Sequence, residues 1–524
     1  MKVAITACLF FACAGHEQAP DTAPRTAQPR ENTESANVEA VDIELRVDVD
    51  GERRPISPLI YGINGHDLAE GRPGVFAFRR LGGNRTSTYN WENNASNAGQ
   101  DYEHSSDAYF GDSNEPARFV LDFISQAQRE GAEALVTIPL LERVARDKNG
   151  PVAEGEVAAR FVASRPRSSG EPATTPTATD GFVYQDAFAA RVSRDHSRAA
   201  YSLDNEPGSW NVTHPRIHPQ RVTYAEVVTR SVDYARAIRQ VAPRSTIYGP
   251  ASFGLAGWMR LADAPDAGGR DFIHVYLDAM ASAEQSAGAR LLDVFDVHFY
   301  PSVDFEGQPV SHAHGDGAGD LRMQLPRSLY DADYEEPGWI VRDFLHEPIQ
   351  LLPRLATTIR EHYPGTKLAI TEYNYGGGGD ISGAVAQADV LGAYGRYGVH
   401  AAALWPLWQQ PTEYILAAFE VFQRPLGLAP FARTSVPAQS SDTAKVGVWA
   451  SVDEESHRVS VVVVHRSRDS LRLRLDVGEA DGEAQRVVIS ASESRLQGAE
   501  PVANTQGHYD FVSRGPSVTY LTIE

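Results

Sequence analysis

The chain has 524 residues, of which 42% are hydrophobic and 22% are charged. This composition is ordinary for a globular protein, and the length allows a large core and more than one domain. The formal net charge of −21 disfavours nucleic acids and anionic membrane surfaces as partners and suits a neutral or cationic ligand.

The N-terminus, MKVAITACLFFACAG, has one basic residue, an apolar run and then small residues, which is typical of an export signal over 1–14. Ordinary cleavage before Gly15 competes with an imperfect lipoprotein box that places a lipid on Cys13, and with a plain apolar start. Residues 15–41, rich in Pro, Thr, Glu and Ala, predict a disordered tether. We therefore expect a secreted protein or a cell-surface lipoprotein held to the membrane through Cys13.

Residues 42–57 begin with alternating apolar and polar residues, which predict a half-buried strand. Residues 58–428 instead contain continuous apolar runs alternating with segments of helical spacing, such as 116–131, 224–243 and 347–365. Runs of this kind are typical of parallel strands buried on both faces, and eight of them predict a (β/α)8 barrel. An open doubly wound sheet is the alternative, but its glycine-rich phosphate loop is missing after the first run. The runs are LIYGIN (59–64), FAFRRLGG (76–83), EALVTIPL (133–140), AAYSLDN (199–205), STIYGPA (245–251), LLDVFDVHFY (291–300), KLAITEYN (367–374) and HAAALWPLW (400–408).

Residues 429–524 change character again, because short alternating strands are separated there by Gly, Asp and Ser. This pattern predicts an antiparallel β-sandwich. The early strand within 42–57 has no place in an eight-stranded barrel, so we expect it to join the sandwich. The predicted fold class is therefore α/β, with a (β/α)8 barrel and a second domain built from both ends of the chain.

Polar and aromatic residues stand where the predicted barrel strands end. The chemistry of such barrels lies at the C-terminal ends of the strands. Two glutamates occupy these ends, Glu206 after the fourth run and Glu372 on the seventh. Taken alone, each glutamate is also explained as an ordinary residue at a strand end or in a solvated loop. The other residues at these ends are Asn64, Asn84, Arg85, Asn205, His298, Tyr300 and Trp405.

Two carboxylates facing each other across a barrel mouth indicate glycoside hydrolysis, in which one acts as nucleophile and the other as acid and then base. Arg85 and Tyr300 are candidates to stabilise the ionised nucleophile. Asn205 is placed to bind a sugar 2-hydroxyl, and Trp91 and Trp405 offer flat faces for sugar rings. The chain lacks a Gly-x-Ser-x-Gly nucleophile elbow and a phosphate loop.

Five stretches resemble glycoside hydrolase family 44. They are RRLGGNRTSTYNWENNASNAG (79–99), YSLDNEPGSWNVTHPRIHP (201–219), DVFDVHFYP (293–301), RSLYDADYEEPGWI (327–340) and TEYNYGGG (371–378). The resemblance runs from about residue 57 to the C-terminus. It implies a retaining endo-β-1,4-glucanase with a barrel and a β-sandwich, acting on cellulose derivatives, mixed β-glucan or xyloglucan.

The same resemblance assigns roles by motif. It implies Glu206, in LDNEP, as acid/base and Glu372, in TEYNYGG, as nucleophile. It also places Asn84 and Arg85 near the reaction centre, Trp91 in the cleft and Tyr300 beside the nucleophile. At position 330 a Tyr stands where we expect Trp in relatives, which implies a weaker stacking subsite.

Similar enzymes carry a structural calcium, and here Glu92, Asp147 and Asp186 are the candidate ligands, with ordinary surface acids as the alternative. No organic cofactor is implied, and a monomer without nucleic-acid partners is expected. Two other functions stay open. One is a mannanase or xylanase on the same scaffold, and the other is a non-catalytic, membrane-tethered polysaccharide-binding protein.

Overall fold

The computed structural model describes residues 41–176, 180–478, 482–505 and 507–524. The predicted export signal (1–14), the lipid site at Cys13 and all but the last residue of the predicted tether (15–41) lie outside these residues. Two bodies make up the described part, a closed barrel and a pair of packed sheets. None of the described helices is both long and apolar enough to cross a bilayer.

Eight parallel strands close into a barrel in chain order, and the last is hydrogen-bonded to the first. This confirms the predicted (β/α)8 fold, because each of the eight apolar runs overlaps one barrel strand. The strands, called barrel strands 1 to 8 below, are Gly62–Asn64, Phe78–Leu81, Glu133–Ile138, Ala200–Leu203, Thr246–Phe253, Val294–Phe299, Lys367–Tyr373 and Ala401–Leu404.

Helices connect the barrel strands, and the three segments with the clearest helical spacing form Arg118–Arg129, Tyr224–Val241 and Leu351–His362. The second begins at Thr223, whose side chain accepts a hydrogen bond from the backbone N–H of Glu226 at 3.0 Å. Such a cap satisfies a donor that the first helical turn leaves free. The other α-helices are Val157–Arg160, Gln185–Asp195, Trp210–Thr213, Gly254–Arg260, Phe272–Ala287, Asp316–Gln324, Ile381–Arg396 and Glu413–Gln423.

Loops at the barrel mouth carry small sheets of their own. One has three strands, Ser96–Asn97, Ser105–Asp107 and Gly150–Pro151. A second joins Arg143–Ala145, Phe161–Arg165 and Phe182–Tyr184. The hairpin Asp304–Phe305 with Gln308–Pro309 follows barrel strand 6, and a π-helix spans Ile340–Leu345. These loops build up the walls above the strand ends.

The C-terminal region forms a five-stranded and a seven-stranded sheet. The strand Val41–Val47 joins the smaller sheet, so the predicted sandwich built from both chain ends is confirmed. This strand runs parallel to Ser470–Asp476, unlike the all-antiparallel arrangement expected, because it enters from the far end of the chain and no hairpin sets its direction. The remaining strands are Arg54–Pro55, Thr434–Val436, Ala438–Ser440, Val446–Val452, Val459–His465, Ala484–Ser490, Glu493–Val502, Asn504–Thr505, His508–Arg514 and Ser517–Ile523.

The seven-stranded sheet packs its outer face on the helix Ile381–Arg396 of the barrel. Trp449 of the sheet lies on Gly392 of the helix, where a Cβ would come within 2.1 Å of the indole ring. Only glycine allows this close approach. The same helix presents Asp389, which is fully buried and accepts hydrogen bonds from Arg466 at 2.6 Å and from the Trp449 indole at 2.9 Å.

Tyr330 belongs to this domain contact, so the prediction of a stacking subsite at position 330, weakened by Tyr in place of Trp, is wrong. Its ring lies edge-on to Trp449 with centroids 5.0 Å apart. Its hydroxyl lies 2.9 Å from the guanidinium of Arg466. The tyrosine hydroxyl thus completes a buried polar cluster between the two domains.

Candidate active site

The turn after barrel strand 4 is held by a buried carboxylate. Asp204 accepts hydrogen bonds from Ser87 at 2.5 Å, from the backbone of Asn205 at 2.7 Å, and from the backbone N–H groups of Leu140 and Leu141. Asp204 and Glu206 both adopt left-handed conformations, with φ of +65° and +45°. Such backbone is costly for residues other than glycine, so the bonds to Asp204 fix a turn that aims Glu206 at the barrel mouth.

A bulge sets the neighbouring side of the site. Between barrel strands 6 and 7 the register shifts, so that His298 pairs with Glu372 and Thr371 is the extra residue. Bulges re-aim side chains and are frequent beside active sites. A second shift, between barrel strands 5 and 6, leaves Ala251 as the extra residue, and its carbonyl accepts the backbone N–H of Glu206 at 2.9 Å.

Glu206, His298 and Glu372 converge at the centre of the barrel mouth. Each offers one oxygen or nitrogen atom, and these three atoms lie within 4.8 Å of one another. The Nδ1 atom of His298 lies 2.7 Å from Glu206 Oε1 and 3.5 Å from Glu372 Oε2. The imidazole therefore stands between the two carboxylates.

Glu372 has the stronger set of donors. Arg80, on barrel strand 2, donates to its Oε1 at 2.6 Å, and the Tyr300 hydroxyl donates to its Oε2 at 3.1 Å. The guanidinium also donates to Asn64 at 3.0 Å and to Asn205 at 2.7 Å. Because Arg80 is completely buried, these bonds fix its position against the Glu372 carboxylate.

The two carboxylates differ electrostatically. Burial, reinforced by the nearby Glu372, raises the pKa of Glu206 well above its usual range. Burial also raises the pKa of Glu372, but the charge and hydrogen bonds of Arg80 and the bond from Tyr300 oppose that shift. We therefore place the single shared proton on Glu206 and the negative charge on Glu372. Burial lowers the pKa of His298 well below its usual value, which keeps its imidazole neutral.

The predicted contact of Arg85 with the nucleophile is wrong. Arg85 forms a two-pronged ion pair with Asp107, at 2.7 and 3.0 Å, and lies over the ring of Tyr109. Arg80 makes the contact instead. Side chains alternate along a strand, so Arg79 points outward to Glu130 while Arg80 points into the barrel. The sequence signal that could have identified Arg80 was the pair of arginines, Arg79 and Arg80, inside an otherwise apolar run.

Trp91 does not line the cleft as predicted. It is 1% exposed, stacks on Phe188 with centroids 6.1 Å apart, and donates from its indole to the carbonyl of Tyr184. Its large apolar ring is part of the core under the loops. Trp405, by contrast, is half-buried at the end of barrel strand 8 and lies against Gly83, where a Cβ would meet the ring at 2.7 Å.

Asn84 and Asn205 lie together beside the carboxylates. The Asn205 oxygen accepts from Arg80 and from the backbone of Gly83, and its amide nitrogen donates to Asn84 at 3.2 Å. Asn84 in turn donates to Asp101 at 3.1 Å. An amide carries two N–H donors, so Asn205 keeps one for a ligand while Asn84 holds its orientation.

The predicted calcium ligands do not converge. Within the described residues, the one group of three or more acidic, histidine or cysteine side chains with ligand atoms this close is Glu206, His298 and Glu372. Both oxygens of Asp147 accept from Arg160, at 2.9 and 2.8 Å, and Asp186 accepts from Ser168 at 3.0 and 3.1 Å. Together with Glu92, these residues do not fit a shared calcium site.

Two carboxylates and an imidazole could in principle hold a divalent cation. Here the positive charge beside Glu372 is already supplied by Arg80 at 2.6 Å, and His298 is fixed between protein partners. A second cation would meet the guanidinium charge at close range. The cluster is therefore assigned to proton and nucleophile chemistry rather than to metal binding.

Comparison with known proteins identifies similar chains. The model of glycoside hydrolase family 44 matches residues 95–303. The structure of a Paenibacillus polymyxa family 44 xyloglucanase, solved with xyloglucan, is 36% identical, covers 92% of this chain and 99% of its own, and superposes with a TM-score of 0.87.

Two curated relatives are similar over 83% of this chain. Endoglucanase A of Paenibacillus lautus is 39% identical over 469 residues, and the Beta-mannanase/endoglucanase A of Caldicellulosiruptor saccharolyticus is 35% identical over 480 residues. The matched regions span 65% and 35% of the lengths of these two proteins.

Proposed function

The chain belongs to glycoside hydrolase family 44, and from this premise we propose that it is an endo-acting, retaining β-1,4-glucanase. Glu206 is the acid/base and Glu372 the nucleophile. The observation that carries the proposal is the closeness of two carboxylates with unlike partners, within 4.8 Å at the mouth of the barrel.

The spacing of the carboxylates supports a retaining rather than an inverting reaction. Retaining glycosidases hold their two carboxyl groups about 5–5.5 Å apart, whereas inverting enzymes need about 6.5–9.5 Å to admit a water molecule. In this chain the nearest oxygens lie within 4.8 Å, which is closer to the retaining spacing than to the inverting one. This spacing supports direct attack by Glu372.

In the first step, Glu372 attacks the anomeric carbon while Glu206 protonates the departing glycosidic oxygen. The bond from that carbon to the leaving oxygen breaks and a glycosyl ester on Glu372 forms. Arg80 and Tyr300 hold the attacking carboxylate ionised and oriented. The remaining amide N–H of Asn205 is available to a sugar hydroxyl beside the reacting carbon.

In the second step, Glu206 acts as a base. Its raised pKa falls back once the ester removes the charge of Glu372, so Glu206 stays ionised until water arrives. It then takes the proton from that water as the oxygen attacks the anomeric carbon. Two inversions at one carbon give net retention. Every group is a side chain, so the reaction needs no organic cofactor.

The sugar is proposed to be a β-1,4-glucan, such as a cellulose derivative, mixed-linkage glucan or xyloglucan. The xyloglucanase and the endoglucanase among the similar proteins support this choice. A mannanase is the second candidate, because one similar protein is named for both activities. A xylanase would use the same carboxylates with different contacts to the sugar rings.

The test is reducing-sugar release from xyloglucan, carboxymethyl cellulose, mixed-linkage glucan, mannan and xylan. We expect release from the glucans and none with Glu372→Gln. Glu336→Gln is the matched control, because Glu336 is a buried glutamate bonded to Ser328 outside the cluster. Activity confined to mannan or xylan would move the substrate while keeping the mechanism.

Stereochemistry tests the retaining mechanism separately. Proton NMR of the first product should show the β-anomer before mutarotation. An initial α-anomer would overturn the assignment of Glu372 as nucleophile.

A non-catalytic polysaccharide-binding protein is the competing class. A binder has no use for a buried charge and a second buried carboxylate, because their desolvation is costly. Glycan binding without release from any of the five polysaccharides would favour it.

Export is proposed from the sequence alone, with residues 1–14 as the signal and 15–41 as the tether, ending in free secretion or a lipid on Cys13. We also propose that the chain acts as a monomer. Mass spectrometry of the mature N-terminus and light scattering test these two points.

A further inference from the structure

A buried hydrogen-bonded chain runs from the acid/base away from the cleft. Glu206 Oε1 lies 2.7 Å from Nδ1 of His298, and the other ring nitrogen, Nε2, lies 3.3 Å from the Thr371 hydroxyl. That hydroxyl lies 2.8 Å from Oδ2 of Asp296. The other Asp296 oxygen accepts the backbone N–H of Thr371 at 3.2 Å. His298, Thr371 and Asp296 are each completely buried.

The chain has two directions, because its middle members each give one hydrogen bond and accept one. In the forward direction, protonated Asp296 donates to Thr371, Thr371 donates to His298 Nε2, and His298 Nδ1–H donates to Glu206 Oε1. In the reverse direction, Glu206 Oε1–H donates to His298 Nδ1, Nε2–H donates to Thr371, and Thr371 donates to ionised Asp296. A neutral imidazole permits either direction.

We propose, on the basis of the proposed hydrolase function, that Asp296 is a positioning residue which sets the direction of this chain and thereby sets how readily Glu206 gives up its proton. In the forward direction, His298 Nδ1–H donates to Oε1 of the Glu206 carboxylate, which favours the ionised form that acts as base. In the reverse direction, Nδ1 accepts from Glu206 Oε1–H, which favours the protonated form that acts as acid.

The step between directions balances without any other reactant. One proton moves from Glu206 to His298 Nδ1, the Nε2 proton moves to Thr371, and the hydroxyl proton of Thr371 moves to Asp296. The net result is one proton transferred from Glu206 to Asp296. Burial raises the pKa of Asp296 to about 7, opposed mainly by Arg80, so this carboxyl can hold a proton near neutral pH.

Other charged groups face both ends of the chain. Arg80 and Glu372 act on both Asp296 and Glu206, and they are fixed to each other at 2.6 Å. Arg80 and Glu372 keep the same positions in both directions of the chain. They therefore shift the pKa of both acids but do not select the direction. Among the described residues, Tyr248 and Tyr276 also face Asp296, and Asp101 and Tyr300 also face Glu206.

Asp296→Asn locks one direction of the chain. An asparagine donates to Thr371 at every pH, so it holds the forward direction, in which His298 Nδ1–H lowers the pKa of Glu206. The alkaline limb of the pH profile of kcat/KM should therefore move downward by about one pH unit. On the falling limb, the variant should be slower than wild type by about tenfold. An unmoved or raised limb would overturn the proposal. Removing the Asp296 charge also lowers the pKa of Glu206, so a second variant separates the chain from charge repulsion.

Thr371→Val cuts the chain while leaving the Asp296 charge in place. Charge repulsion alone then predicts an unmoved limb, whereas loss of the reverse direction should lower the limb as Asp296→Asn does. Thr371→Ser keeps the hydroxyl and should restore the wild-type limb. Glu336→Gln removes a buried carboxyl outside the chain and should not move it. A limb unmoved in Thr371→Val would mean that no relay operates through this hydroxyl.

NMR of ring-labelled histidine tests the chain without any substrate, and so independently of the proposed function. The His298 signal, assigned by its loss in His298→Gln, should change from the Nδ1–H to the Nε2–H tautomer as the pH of the wild type is raised from 5 to 9. In Asp296→Asn it should stay Nδ1–H throughout. A single wild-type tautomer over this range would overturn the proposal, whatever the polysaccharide assays show.

Discussion

The molecule contains two buried arginine–carboxylate pairs of equal length but unlike surroundings. Arg466 and Asp389 lie 2.6 Å apart between the domains, and Arg80 and Glu372 lie 2.6 Å apart at the barrel mouth. At the domain contact the neighbours are neutral donors, Trp449 and Tyr330. At the barrel mouth the neighbour is a second carboxylate, Glu206, so one cation serves two acids.

The two sites therefore differ in the number of carboxylates that share one arginine. The neutral neighbours of Asp389 complete its hydrogen bonds, and the pair raises the pKa of Arg466 above its usual range. Around Arg80 one carboxylate is left without a cation, and it keeps a proton instead. A buried pair in balance joins two domains, whereas the unbalanced pair leaves a protonated carboxyl at the barrel mouth.

The largest expected effect comes from neutralising either acid at the barrel mouth. Glu372→Gln and Glu206→Gln should each reduce kcat/KM on polysaccharide by about 10³-fold or more, because under the proposed mechanism one loses the nucleophile and the other the acid/base. An aryl glycoside with a nitrophenolate leaving group needs no acid. Glu206→Gln should therefore form its glycosyl-enzyme in a burst with this substrate, and Glu372→Gln should not.

Mass spectrometry of the intact protein measures that burst as an added sugar, and a proteolytic digest locates the sugar on the peptide that contains Glu372. Glu336→Gln serves as the control. A burst in Glu372→Gln would reverse the two assignments.

Removing each arginine compares the two pairs directly. Arg466→Met leaves Asp389 buried without its cation and should lower the free energy of unfolding by about 3–5 kcal/mol, with kcat/KM of the folded fraction unchanged. Arg80→Met should lower kcat/KM by about 10²-fold, because Glu372 then takes up a proton. Urea unfolding and kinetics well below the unfolding midpoint measure both. Equal losses of activity in the two variants would contradict the distinction.

Glu336 extends the comparison to a buried carboxyl that forms no ion pair with any described residue. Burial raises its pKa to about 7. The folded protein therefore keeps a proton that the unfolded chain releases above about pH 4.5, and wild-type stability falls as pH rises from about 4.5 to 7. Glu336→Gln removes this loss and should stabilise the protein by about 2–3 kcal/mol at pH 8 but not at pH 4.

Urea unfolding of both proteins at the two pH values checks this. A stabilisation that is equal at pH 4 and pH 8 would exclude ionisation of Glu336 as its cause.

The smallest effect distinguishes the two tryptophans. Trp405→Ala should raise KM by about tenfold with a smaller change in kcat, because a half-buried ring at the end of barrel strand 8 is lost as a contact for the sugar. Trp91→Phe should lower the free energy of unfolding by about 1–2 kcal/mol and leave KM unchanged, because Trp91 is core. Initial rates on the best polysaccharide and thermal unfolding separate these outcomes. A raised KM in Trp91→Phe would instead indicate that Trp91 contacts the substrate.

The sequence by itself determined the framework. Eight apolar runs predict eight barrel strands because strands buried on both faces are made mostly of apolar residues. Polar residues then concentrate where the runs end, which located Glu206, Glu372, His298 and Tyr300. The alternating strand near residue 41 predicted its own place in the sandwich, since a half-buried strand needs one sheet face against a core.

Only the tertiary structure decided which polar residues meet. Arg80 and Arg85 are both near the end of barrel strand 2, and the strand pleat alone directs Arg80 to Glu372 while Arg85 pairs with Asp107. Two register shifts bring Thr371 and Ala251 into the site, and a bulge leaves no periodic signal in the sequence. Burial and charge pairing depend on contacts between distant strands, so local sequence could place the acids but not assign their protons.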